Sequence, residues 1–115
     1  MTDPTDQTLA ARYRPQLEAE RDTLLTASHD TADARKPVEL DQTQQGRLSR
    51  QDALQSQAMA AAIETRRHGR LRAIEAALAR IGAGDFGWCD DCGDFLGFPR
   101  LDVDPCAMRC VSCAS

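Results

Sequence analysis

Aromatic residues make up only 4% of this 115-residue chain, and much of its 42% hydrophobic content is alanine. Large cores are built mainly from aromatic and branched side chains, so this composition excludes a big globular interior. No stretch approaches the ~20 apolar residues of a membrane span. The polar, acidic start Met1-Thr2-Asp3-Pro4-Thr5-Asp6 lacks the apolar segment of a secretory signal. The expectation is a cytoplasmic protein with no membrane contact. Nothing matches a nucleophilic triad or a phosphate-cradling glycine loop, so no enzyme is expected. A net charge of −4 excludes a generic nucleic-acid binder. A charged fraction of 28% suits exposed helices.

Five cysteines stand out against this plain background. Cys89-x-x-Cys92 and Cys110-x-x-Cys113 form two C-x2-C pairs separated by seventeen residues. Two intervening residues let both thiolates of a pair reach one ion from a tight turn. Four such ligands satisfy tetrahedral zinc, and an all-thiolate shell marks a structural site. One zinc per chain is expected, held by Cys89, Cys92, Cys110 and Cys113. Two disulfides are the alternative, but five cysteines in a reducing compartment fit four ligands plus one spare thiol better. Gly93 follows the first pair, where a knuckle turn often needs positive φ. Phe95–Leu101 is apolar and broken by Gly97 and Pro99, which suggests a short hairpin. The segment reads as a zinc ribbon or a treble-clef-like knuckle. Cys106 falls outside both pairs and reads as a small buried residue rather than a redox sensor.

Two helices are expected before the cysteines. Residues 1–6 read as a frayed tail. Leu9, Tyr13, Leu17, Leu24 and Ala27 share one helical face, placing the first helix at about 7–31. Pro15 marks either its first turn or an interruption within it. Residues 32–48 lack periodicity and form a loop, from which Val38, Leu40 and Leu48 could pack over the helix ends. Ser49-Arg50-Gln51-Asp52 resembles a capping box. From there a second helix, 49–81, runs to Gly82-Ala83-Gly84, a length of about 50 Å. Such a helix must project, paired with the first. Its apolar stripe is Ala60, Ile63, Leu71, Ile74, Leu78 and Ile81, with an eleven-residue step from Ile63 to Ile74. Arg67 sits within the stripe, and pairing residue 31 with residue 49 would set it against Tyr13 as a cation–π contact. The fold class is therefore mainly α: an antiparallel two-helix coiled-coil hairpin over 1–84, and a small four-cysteine zinc finger over 85–115.

One basic cluster, Arg66-Arg67-His68-Gly69-Arg70-Leu71-Arg72, lies on the second helix. A solvated face explains it better than a phosphate-binding patch. His29 and His68 read as isolated, exposed histidines. The cysteine segment is acidic, with Asp85, Asp90, Asp91, Asp94, Asp102 and Asp104 against Arg100 and Arg109. Phosphate backbones would be repelled, so the finger is not read as a DNA finger.

Asp85-Phe86-Gly87-Trp88-Cys89-x-x-Cys92-Gly93, then Pro99-Arg100-Leu101, Pro105 and Cys110-Val111-Ser112-Cys113, resemble the C-terminal zinc-finger signature of the DksA/TraR family. The run Ile74–Ile81 resembles that family's approach to the finger. The resemblance covers about 49–113. It implies a bacterial regulator of transcription that binds RNA polymerase, not DNA, inserting the hairpin tip into the secondary channel. Well-studied members carry Asp-x-Ala at the tip. An ungapped register from the cysteines places Ser49-Arg50-Gln51 there, with Asp52-Ala53 one turn on and Asp41 in the loop. Asp41, Arg50, Asp52 and Ala53 are thus the candidate partner-binding residues. The sequence stops two residues after Cys113, so the C-terminal helix of longer members is not expected. Family positions that bind the alarmone ppGpp map to Ala73, Asp104 and Ala114, none of which donates a charged hydrogen bond. The implied regulator is monomeric and independent of ppGpp. A nucleic-acid-binding zinc module and a thiol-redox-responsive zinc protein are the alternatives.

Overall fold

The computed structural model describes residues 4–36 and 47–114, with side chains from residue 50 in the second stretch. Two long helices carry most of the chain: α1, Asp6–Asp30, and α2, Arg47–Ala83. A 3-10 turn, Ala32–Arg35, follows α1. Two short helices, α3 (Phe98–Val103) and α4 (Val111–Ala114), lie near the cysteines. Among the described residues there is no β-strand, and no helix is long and apolar enough to cross a membrane. The chain divides into two compact units. One comprises the chain up to Arg21 and from Leu71 onward, and the other comprises Asp22–Arg70.

Local chemistry explains the helix ends. Of the expected frayed tail, residues 4–6 lie among the described residues, where Thr5 caps α1. Its hydroxyl accepts the Thr8 N–H at 3.1 Å, and its carbonyl accepts the Leu9 N–H at 3.1 Å. Pro15 lies inside α1 rather than at its start. Its ring leaves one carbonyl of the preceding turn without an intrahelical partner, on an exposed face where water can serve. The α2 helix begins at Arg47, so Ser49 is not its N-cap and the capping-box reading fails. Arg47-Leu48-Ser49-Arg50 contains no Gly, Pro or β-branched residue to stop the helix from running back past Ser49. Val38 and Leu40 lie outside the described residues. The end of α2 is a Schellman motif: Gly84 N–H bonds Ile81 O at 3.3 Å, and Asp85 N–H bonds Arg80 O at 2.9 Å. Gly84 has φ +79°, a conformation that glycine adopts without strain.

In the first unit Leu9, Tyr13 and Leu17 of α1 are buried, as are Ile74, Ala77 and Ile81 of α2. Phe86, Leu96, Leu101 and Pro105 complete this core. Tyr13 stacks at a tilt on Phe86, with ring centroids 5.6 Å apart. Its hydroxyl donates to Asp102 Oδ1 at 2.8 Å. Arg12 grips the same carboxylate, Nε to Oδ1 at 3.3 Å and Nη2 to Oδ2 at 2.8 Å, while its guanidinium lies 4.5 Å from the Phe98 ring centre. The expected Tyr13–Arg67 contact is therefore absent: Tyr13 belongs to this core, and Arg67 bonds Thr31 instead. The residues that pair imply a different register. Arg21 faces Glu75, and in the second unit Ser28 faces Glu64 and Lys36 faces Gln57. Within the second unit rising numbers after the start of α1 meet falling numbers on α2, so the two segments run antiparallel there.

Burial holds the Tyr13 phenol proton, and Asp102 adds to the effect, so its pKa rises from 10.0 to about 12. Between those values an unfolded chain has released this proton and the folded chain keeps it. Stability is expected to be intact below pH ~10 and to fall as pH rises through about 12. Tyr13 is the only tyrosine, so its phenolate absorbance reports this group alone. A midpoint at the ordinary value in the folded protein would refute the buried contact.

The second unit has a different seam. Its inward positions on α2 are Arg50, Ala53, Gln57, Ala60, Glu64 and Arg67, in alternating steps of three and four. This is a heptad pattern, not the expected eleven-residue step. Ile63 is 39% exposed, whereas Glu64 beside it is only 7% exposed. Partners decide between them. Glu64 accepts a short hydrogen bond from the Ser28 hydroxyl, an ion pair from Arg35 at 3.0 Å, one from Arg67 at 3.5 Å, and a contact from His68 at 3.3 Å. The Ser28 hydroxyl foremost, and then Arg35, His68 and Arg67, hold its carboxyl below the usual range against the effect of burial. His68 is exposed but not isolated.

Candidate metal centre

The segment after α2 is short on regular structure and relies on turns. The expected hairpin reduces to a single antiparallel bridge between Trp88 and Phe95. Pro99 then starts α3 in its first turn, where a missing N–H costs nothing, so the return of the hairpin is helical. Trp88, Phe95 and Phe98 stack in series, with centroids 5.5 and 5.3 Å apart. This small apolar shelf supports the first knuckle. Cys89 N–H bonds Asp94 O and Gly93 N–H bonds Cys89 O, both at 2.9 Å. The turn requires the φ of +79° found at Gly93, as the sequence suggested. The second knuckle opens α4, with Cys113 and Ala114 N–H bonding Cys110 O at 3.1 and 2.9 Å.

Bonds between the knuckles set their separation. Asp90 N–H bonds Met108 O at 2.8 Å, Arg109 pairs with Asp91 at 3.3 Å, and Arg100 Nε donates to Arg109 O at 2.7 Å. The result brings Cys89, Cys92, Cys110 and Cys113 together, all four sulfurs within 4.8 Å of one another. Cys92 and Cys110 Sγ are 3.7 Å apart. Thiolates about 2.3 Å from a tetrahedral zinc lie about 3.8 Å from each other, so the cage fits that ion. Cysteine–cysteine disulfides are absent from the described residues.

The electrostatics of the four thiols are uneven. Backbone N–H groups of Cys110 and Cys92, with help from Asp91, pull Cys89 down to about 6. Asp94 N–H also lowers Cys92, yet the protons it shares with Cys89 and Cys110, together with burial, raise it overall. Cys110, Cys89 and Cys92 together push Cys113 up strongly. Four thiols this close cannot all ionise unaided, because each thiolate repels the next. A divalent ion relieves that repulsion and is the natural occupant. Such a closed set of four leaves no position for a substrate, which makes the site structural.

Cys106 lies outside this set and is buried, its N–H donating to Asp104 Oδ1 at 3.0 Å. Cys106→Ser is expected to retain about one zinc per chain. It should lose on the order of 1 kcal/mol of stability, because a hydroxyl replaces a buried thiol. Elemental analysis and a melting curve check both, and loss of zinc would show a wrong ligand set.

The candidate tip residues sit apart from the cysteines in the chain. Arg50 and Ala53 are half-buried and Asp52 is exposed, all on the first turns of α2. Asp41 lies outside the described residues. Two groupings escaped the sequence reading. One is Arg12–Tyr13–Asp102, whose partners are about ninety residues apart. The other is the Glu64 cluster, for which the heptad spacing from Ala53 to Ile81 was an available signal.

Residues 84–115 match the prokaryotic dksA/traR C4-type zinc finger family. Over 43 residues the chain is 42% identical to the RNA polymerase-binding transcription factor DksA of Haemophilus influenzae, covering 37% of this chain and 30% of that protein. The Escherichia coli protein of the same name is 37% identical over 43 residues, 28% of its length. The match thus spans less than a third of the curated relatives. The structure of transcription factor DksA2 from Pseudomonas aeruginosa is similar in fold, with TM-score 0.58 and 23% identity, over 95% of this chain and 92% of that one. Residues 84–115 are thus a C4 zinc finger of the dksA/traR type, in a chain whose fold is similar to that of DksA2.

Proposed function

We propose that this chain is a bacterial, cytoplasmic regulator of transcription that binds RNA polymerase as a monomer and has no catalytic activity of its own. The carrying observation is the C4 finger, which aligns with proteins named as RNA polymerase-binding factors and sits on a fold like that of DksA2. In this reading residues 1–84 act as the hairpin and 85–115 as the finger. The hairpin tip enters the secondary channel, with Asp52 and Asp41 as candidate acids and Arg50 and Ala53 beside them. An acidic finger favours a protein partner over nucleic acid, because phosphate binding draws on Lys and Arg. Independence from ppGpp follows from Ala73, Asp104 and Ala114. Asp104 accepts the Cys106 N–H, and its charge repels phosphate.

Capture of purified core polymerase by the tagged protein at physiological salt tests the partner. Transcription in vitro from a ribosomal promoter, using polymerase without another alarmone site, tests the mechanism. Asp52→Asn is expected to abolish the effect while retaining binding, and Asp41→Asn to have the smaller effect. Synergy with ppGpp would reject alarmone independence, and absence of capture would reject the polymerase itself.

A further inference from the structure

The polar seam of the Asp22–Arg70 unit calls for a physical reason. Its α2 side offers Ala53, Gln57, Ala60, Glu64 and Arg67, and its α1 side offers Leu24, Ala27, Ser28 and Thr31. Leu24 is the one large apolar residue among them. Alanine against alanine gives little preference for one register, since a slip by one turn exchanges small residues for small residues. A buried carboxylate behaves differently. It is tolerated only where it finds partners, and a slipped register strands it.

The partners of Glu64 are specific to one pairing. Ser28 donates its hydroxyl to Oε2. Arg35 Nη2 reaches the same oxygen at 3.0 Å and also donates to Ser28 O at 3.0 Å. Arg35 Nη1 donates to Thr31 Oγ1 at 2.9 Å, and Arg67 Nη1 donates to that hydroxyl at 3.0 Å. Thr31 in turn donates to Ala27 O at 2.7 Å. The cluster therefore also serves the Ser28 carbonyl in the last turn of α1 and adds a second donor to the Ala27 carbonyl, which already accepts the Thr31 N–H at 3.1 Å. His68, on the solvent side, is the remaining ionisable neighbour at 3.3 Å. A displacement of α2 along α1 would break at once the three contacts that cross between them, Ser28–Glu64, Arg35–Glu64 and Arg67–Thr31.

We propose that Glu64, with Ser28, Thr31, Arg35 and Arg67, is a register latch that selects a single pairing of α1 and α2 in this unit. It works chiefly by penalising the alternatives, as a lone polar residue does at a coiled-coil seam. The latch concerns the hairpin's own geometry and stands whether or not polymerase is the partner.

Spin labels on a genetically encoded keto amino acid at Thr23 and Ala58 test it, because that chemistry leaves the zinc thiols untouched. Both positions are exposed, and the wide offset between them along the helix pair makes their separation sensitive to slippage. The unsubstituted protein is expected to give one narrow distance distribution by pulsed electron resonance. Glu64→Leu places a good seam residue where the carboxylate was, and Glu64→Gln keeps its size without its charge. Both are expected to keep their helical signal and to add a second population, displaced by ~5 Å, the height of one turn. A cluster that merely added stability would lower the melting temperature and leave the distribution unchanged. A single narrow distribution in both variants, at the original distance, overturns the proposal.

Discussion

Replacing any one of Cys89, Cys92, Cys110 or Cys113 with serine is expected to drop bound zinc from about one per chain to nearly none and to unfold the finger. The segment has few means of holding itself together. It contains one isolated bridge and two short helices of six and four residues. Its four sulfurs, within 4.8 Å of each other, repel as thiolates once the ion is lost. Trp88, next to Cys89 and the only tryptophan, gives the readout: its fluorescence should shift to that of a solvated indole. A chelator should reproduce the change in the unaltered protein. Much of the helical signal should remain, because the α1 and α2 backbones are bonded internally along 25 and 37 residues. The loss should nonetheless extend to the base of α1, where Arg12 and Tyr13 hold Asp102. A zinc-free protein with unchanged Trp88 fluorescence would refute the coupling of metal and fold.

The second large effect is expected at Ile74. Its side chain is fully buried among Leu9, Tyr13, Leu17, Ala77 and Ile81, the core of the first unit. Ile74→Asp puts an unpaired carboxylate there, at a cost of about 3–5 kcal/mol. The melting temperature should fall on the order of 10–20 °C. Leu78→Asp should cost less, because Leu78 is only half-buried. Gln55→Asp, on the exposed face, should stay within about 0.5 kcal/mol. Gln57 is not a neutral control, since its side chain bonds Lys36 O at 3.0 Å across the helix pair. Equal melting curves for Ile74→Asp and Gln55→Asp would remove Ile74 from the core.

The metal cage was legible because its information is local. Each C-x2-C pair builds its own turn, and only the approach of two turns was left to the fold. The positive φ at Gly93 follows from the same local requirement. Helix content was legible for a related reason, since apolar spacing repeats along the segment itself. The start of α2 was misread at Ser49 because a Ser-x-x-Asp run caps a helix only where the chain before it is not already helical.

The composition, the cysteine spacing and the signature around Cys89 by themselves determined a small helical protein with a four-thiolate finger. Those features act over a few residues, or through summed burial, and need no knowledge of which segments meet. The tertiary structure alone decided the pairing of the helices, and with it the fates of Glu64, Ile63, Tyr13 and Arg67. A hydropathy pattern favours Ile63 for the interior, but the free energy of burying a carboxylate depends on its partners. Ser28 and Arg35 supply those partners from thirty-six and twenty-nine positions away in the chain. Tyr13 likewise finds Asp102 eighty-nine positions on. Polar burial is settled by such distant partners, which no local pattern encodes.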